Sequence, residues 1–150
     1  MCAFKFNPNA AEDRKYITKP GTYEVVVKSF KADYLPPRAD FYVKFALENS
    51  DGETVFSEIF NKPDKSGEYT RLNEFVAATA TDEEKQALIS RGEFEIDEDF
   101  IKGIAERSIG RRLKVVVTER KYTKRDGTEG VAYSGSYFRK HPDGPTVGPF

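Results

Sequence analysis

Hydrophobic periodicity changes twice along this 150-residue chain, and those two changes limit its fold more than any other feature. A strand with one buried face repeats its apolar residues every second position, whereas a helix repeats them at three and four. Up to about residue 61 the period is two. Lys19-Pro20-Gly21 is a turn signal, and it launches a first strand over 22–31 with Tyr23, Val25 and Val27 on one face. Phe30 falls out of that phase, as at a bulge or bend. A second strand over 39–48 sends Phe41, Val43, Phe45 and Leu47 one way and Tyr42, Lys44 and Ala46 the other. Asn49-Ser50-Asp51-Gly52 reads as a hairpin turn. The third strand, 53–61, sets Val55, Ser57 and Ile59 opposite Phe56 and Phe60.

From Lys62 the period becomes helical. Tyr69, Leu72, Phe75, Val76 and Thr79 recur at three and four. Thr81-Asp82-Glu83-Glu84 is a capping box opening a second helix, with Gly92 after it. Asp97-Glu98-Asp99 opens a third, carrying Phe100, Ile101, Ile104 and Ile109, with Gly110 as its stop; acidic residues in a first helical turn suit the macrodipole. Period two then returns over 111–140. Asp126-Gly127 sits between two strand-like runs there, a strong hairpin signal because Gly tolerates the positive φ of such a turn.

The order of three strands, a helical insert and two strands predicts a mainly β, α+β domain. The expected architecture is a five-stranded OB-like Greek-key barrel with its helices between strands three and four. An α+β sheet with helices on one face fits the same periodicity. In the barrel, a ligand face lies on strands two and three, and loops 33–38 and 121–130 close over it. Residues 1–140 form the single expected domain. Residues 141–150, with three prolines and two glycines, are expected to be a flexible C-terminal tail.

The formal net charge of −1 hides a division. Residues 48–106 hold six basic and sixteen acidic side chains, while 111–140 hold nine basic and three acidic. A basic, aromatic-bearing hairpin on a nearly neutral protein suits an anionic partner. No apolar run reaches the ~18 residues of a membrane span, and the first residues lack an apolar export signal. The expectation is a cytoplasmic protein with no membrane association. One cysteine, Cys2, and one histidine, His141, leave no internal disulfide, no structural zinc site and no histidine-based triad. Asp97, Glu98 and Asp99 diverge around a helix start, so their capping role accounts for them better than a metal. Ser134-Gly135-Ser136 lacks a nucleophile elbow. No enzyme, metal or cofactor is expected.

Binding has more support. Single-strand binders combine a positive groove with rings on which bases stack. Tyr42, Lys44, Phe56 and Phe60 are the candidates from strands two and three, although Phe56 and Phe60 would equally suit a core. Lys114, Arg120, Lys121, Tyr122, Lys124 and Arg125 are those of the hairpin and its tip, and Tyr137 and Arg139 join from strand five. The expected function is sequence-independent binding of single-stranded DNA. The alternative is a protein-interaction module that binds a host or replication protein, and a homo-oligomer is compatible with either.

Several motifs carry a resemblance. Phe4, Phe6 and Pro8 form Phe-x-Phe-x-Pro, and Pro20, Gly21, Tyr23, Val25 and Val27 form Pro-Gly-x-Tyr-x-Val-x-Val. Phe56, Phe60 and Asn61, then Arg71, Leu72 and Phe75, then Gly110, Arg111, Leu113 and Val115 complete the pattern. Over residues 4–140 the chain resembles a family of small phage and prophage proteins of unknown function, with a more helical and acidic insert between 62 and 110. That resemblance implies a replication or recombination accessory protein, an OB-fold binder of single-stranded DNA, and transfers no binding residues. Pro149-Phe150 resembles the partner-binding tip of bacterial single-stranded DNA-binding proteins, which implies recruitment of replication or recombination proteins through the tail; the acidic run of that tip is missing here.

Overall fold

A computed structural model describes residues 3, 4, 6, 8, 15–35 and 40–146. Cys2, residues 36–38 of the expected first loop, and Pro149-Phe150 lie outside the described residues. The elements follow in the order β1 (Gly21–Leu35), β2 (Asp40–Asn49), β3 (Thr54–Phe60), α1 (Thr70–Thr79), α2 (Asp82–Arg91), α3 (Glu98–Ser108), β4 (Arg112–Thr123) and β5 (Glu129–Arg139). All five strands form one antiparallel sheet in the spatial order β3-β2-β1-β4-β5.

β1 is longer than its sequence pattern indicates, because a register slip lies between Val27 and Ser29. Before the slip Val25 and Val27 are buried. After it, Phe30 and Ala32 lie on the core side, opposite Phe45 and Val43 of β2. The out-of-phase Phe30 is thus the trace of a real bulge, and the strand continues past residue 31 instead of ending there.

The core forms between the inner sheet face and two of the three helices. Phe45 stacks on Phe75 of α1 at 4.4 Å between ring centroids, and Phe75 meets Phe138 of β5 edge-on at 5.2 Å. All three rings are fully buried. Each contributes roughly 1.5–3 kcal/mol through burial, so α1 acts as a plug joining β2 to β5. Ile101, Ile104 and Ala105 seal α3 against the same core. α2 buries no residue.

Helix ends follow the sequence closely. Thr81 and Glu84 form the reciprocal capping box of α2. Asp97 caps α3 by accepting from the Phe100 N–H at 2.8 Å. Ile109, expected inside the third helix, lies instead at its cap with an exposed side chain. Gly110 then takes φ +82° and donates its N–H to the Val27 carbonyl at 2.8 Å, which turns the chain directly into β4. Glu84 ties this corner together, meeting Arg111 at 2.5 Å and Arg107 at 2.8 Å. Burial alone would raise the Glu84 pKa, but Arg111, the Thr81 cap and Arg107 outweigh it and hold the carboxyl at about 2.

The sheet's two edge strands approach each other. Ser57 Oγ of β3 donates to the Gly135 carbonyl of β5 at 2.6 Å. A Cβ at Gly135 would stand 2.7 Å from Val115 Cγ2 and 3.2 Å from Ser57 Cβ, so glycine is what permits this approach. Beside the start of β3 the chain adds a short parallel bridge, Tyr16 to Thr54. The first part of the expected tail is held: Arg112 donates to the carbonyls of Asp143 at 2.7 Å and Gly144 at 2.8 Å, and its N–H to that of Pro145 at 2.8 Å.

Candidate nucleic-acid interface

Strand alternation decides which side chains face outward. Burying Phe41, Val43, Phe45 and Leu47 turns Tyr42, Lys44 and Ala46 to the opposite face of β2. Across the ladder Tyr42 pairs with Phe60, Lys44 with Glu58, and Ala46 with Phe56. Phe56 and Phe60 therefore stand on the outer face, while Val55, Ser57 and Ile59 fill the core. The Tyr42 and Phe60 rings lie 5.4 Å apart, tilted by 34°. Lys44 Nζ sits 4.7 Å over the Phe56 ring, whose other neighbour is Tyr16 at 6.3 Å. Phe56 is 36% exposed. This is a row of rings with an ammonium group among them, on strands rigidly backed by the core.

The hairpin β4–β5 brings Arg120 to the same region. Arg120 pairs with Ala132 and lines a cleft of about 380 Å³ between β3 and β5, together with Lys44, Phe56, Glu58, Arg71 and Tyr133. Beyond Arg120 the hairpin leaves the core, and Lys121, Tyr122, Lys124 and Arg125 are all exposed. Its tip is shaped by Asp126, which accepts from the Thr128 N–H at 2.9 Å and hydroxyl at 2.6 Å, with Gly127 at φ +85°. Those bonds hold the Asp126 carboxyl below its usual pKa. The Tyr122 ring lies over Gly130, where an added Cβ would meet it at 2.4 Å, and stays 44% exposed. One aromatic face is thus spent on the cross-strand glycine.

Three expected residues are not part of this patch. Lys114 pairs with Arg139 on one side and Glu24 on the other. Arg139 is engaged by Glu74 of α1 at 3.2 Å and lies over the Tyr137 ring at 5.8 Å. Lys114 is six positions from Arg120, roughly 20 Å along a strand. Lys114, Tyr137 and Arg139 thus occupy the base of the hairpin, at the end opposite its tip.

Other residues of the site carry no local sequence signal. Arg71 arrives from α1, and Tyr133 from β5. Lys31 of β1 pairs with Lys44 across the β1–β2 ladder, adding a cation to the outer face. Acidic groups are present too: Glu58 stands opposite Lys44, and Asp33 opposite Tyr42. Burial lowers the Arg71 pKa, and nearby Glu58 and Glu74 counter that effect. Among the described residues no group of three or more His, Cys, Asp and Glu is placed to hold a metal ion. No helix among them is long and apolar enough to cross a membrane.

No protein family matches the chain, and no curated protein matches it. Among solved structures, yeast RPA bound to ssDNA aligns with 90% of this chain and 82% of its own, at 11% sequence identity and a TM-score of 0.42. A likeness of that degree carries neither a fold nor a ligand over to this protein.

Proposed function

We propose that the protein binds single-stranded DNA without sequence preference, as a non-enzymatic, cytoplasmic accessory of phage replication or recombination, and that its scaffold is an OB-like Greek-key barrel. Support for the barrel comes from the strand order β3-β2-β1-β4-β5 together with the contact of its two ends through Ser57 and Gly135. In such a barrel the outer face of strands two and three is the ligand face. The single observation that carries the ligand is the row Tyr42, Phe60, Lys44 and Phe56 on that outer face, continued by Arg120 at the seam. Aromatic rings accept any base, each stack being worth about 1–3 kcal/mol, and the cations of the hairpin neutralise phosphates. Titrating fluorescent oligo-dT at two salt concentrations tests this. Affinity should fall with a slope of about −0.7 per phosphate contact. An absence of binding at low salt would dismiss the reading.

A second reading has its own observation. An apolar groove of about 670 Å³ lies in the helical insert, lined by Leu72, Val76, Leu88, Ile89, Phe94 and Phe100 among others, with Glu68 and Glu93 at it. A protein-interaction module would use that groove. It predicts negligible DNA affinity and a protein partner released by substitution of Ile89, which is 70% exposed.

A further inference from the structure

Where β3 and β5 meet, side chains hold the seam. Ser57 Oγ donates to the Gly135 carbonyl, and Arg71 Nη2 reaches both the Ser57 hydroxyl at 2.8 Å and the Gly135 carbonyl at 2.7 Å. The Phe138 ring lies 5.7 Å from the guanidinium carbon. One nitrogen of Arg71 is therefore pinned and the plane of the group is fixed. A guanidinium has five N–H donors, and the three on Nε and Nη1 have no protein acceptor among the described residues. Arg71, Arg120 and Lys44 make no ion pair among those residues. These three cations line one cleft with a single carboxylate, Glu58, and one outward-facing phenyl ring, Phe56. Its volume of about 380 Å³ falls in the range of small-molecule sites, roughly 300–1,000 Å³.

With Nη2 held by the seam, Nη1 keeps two charged N–H donors open, and a charge-assisted donor of that kind suits a phosphate oxygen. We propose that the seam cleft is a nucleotide subsite, in which Arg71 binds a phosphate through its free donors, Arg120 supplies the second cation, and the attached base lies against Phe56. The inference rests on the single-stranded DNA reading and names the unit of the strand that is held most closely. Lys44 offsets Glu58, so the cleft keeps a net positive character. Arg71 also explains why the cleft is preformed: the bonds that close the seam are the ones that orient the guanidinium.

The test uses thymidine monophosphate, inorganic phosphate and oligo-dT on the full chain. Arg71→Lys keeps the charge and loses the Nη1 donors; Arg120→Ala removes an exposed cation that makes no seam contact. With the wild type, thymidine monophosphate should shift the backbone amide resonances of Ser57 and Gly135. Arg71→Lys should abolish those shifts, Arg120→Ala should weaken binding several-fold, and Glu58→Gln should strengthen it. The salt slope for oligo-dT should lose about 0.7 in Arg120→Ala and hold in Arg71→Lys, which keeps its charge. Unmoved amides together with an unchanged slope in Arg120→Ala would overturn the inference. If oligo-dT still binds in that case, the cleft alone is ruled out and the single-stranded DNA reading stands. If the monophosphate shifts those amides while oligo-dT fails to bind at low salt, the DNA reading falls and the nucleotide subsite remains. Equal shifts from inorganic phosphate and from the monophosphate would overturn the contact between base and Phe56.

Discussion

The two hairpins β2–β3 and β4–β5 are closed by similar chemistry, Asp51-Gly52 and Asp126-Gly127, yet they are used differently. The first alternates buried and outward positions along nearly its whole length. The second alternates only as far as Thr118 on β4 and then projects, with every residue from Glu119 to Glu129 exposed. So one hairpin presents rings on a fixed surface, and the other sends charges out on an arm. The difference shows that turn chemistry sets the register of a hairpin, while packing against the core sets how far along it buried and outward positions alternate.

That contrast can be broken by substitutions at the two ends of β5. Phe138→Ala removes a buried ring that Phe75 packs against, and should cost about 3–5 kcal/mol in a urea melt. Val131→Ala, on the arm and 45% exposed, should change stability by no more than about 0.5 kcal/mol. Equal losses at the two sites would remove the distinction between base and arm.

The tether at the base of β4 predicts a pH dependence. Glu84 is held at about 2, against 4.5 for an unpaired glutamate. The unfolded chain therefore binds the proton first as pH falls. The contribution is present above about pH 4.5 and is lost progressively as pH falls toward 2. Glu84→Gln should flatten the stability profile in that window, as read by thermal melts between pH 2 and 6.

The two unstrained glycines of β5 make a closer pair. Gly135→Ala pushes a methyl group into Val115 and Ser57 at the seam, and should cost about 1–3 kcal/mol. Gly130→Ala meets only the Tyr122 ring, which sits at the exposed arm and can swing aside; the same melt should show a loss below about 1 kcal/mol.

Binding sharpens the comparison further. Phe56→Ala should weaken oligo-dT binding by about 1–3 kcal/mol while leaving the melting midpoint nearly unchanged. Lys124→Ala, on the arm, should give the smallest effect: a several-fold loss and a salt slope reduced by about 0.7.

Much of this arrangement was legible in the sequence, for local reasons. Period-two alternation placed Tyr42, Lys44, Phe56 and Phe60 on one side of their strands. The broken phase at Phe30 marked the bulge, and Thr81 with Glu84 marked the start of α2. What stayed hidden depends on contacts between distant residues. Ser57 and Gly135 are 78 positions apart, and Arg71 and Gly135 are 64 apart, so no local pattern announces the seam. The same limit explains why Lys114 from the hairpin, and Tyr137 and Arg139 from strand five, read as one surface with the tip residues. Alternation reports the face of a strand and not the position along it, and Glu74 of α1 could not be foreseen as the partner of Arg139.

The account depends on the outer face of β2–β3 and the hairpin arm forming one surface for a single strand of DNA. Backbone amide shifts on adding a dodecamer of oligo-dT measure this directly. They should cluster at Tyr42, Lys44, Phe56, Phe60 and Arg120 through Arg125, and leave the groove at Leu88 and Ile89 unmoved. Shifts confined to that helical groove, or none at low salt, would contradict it.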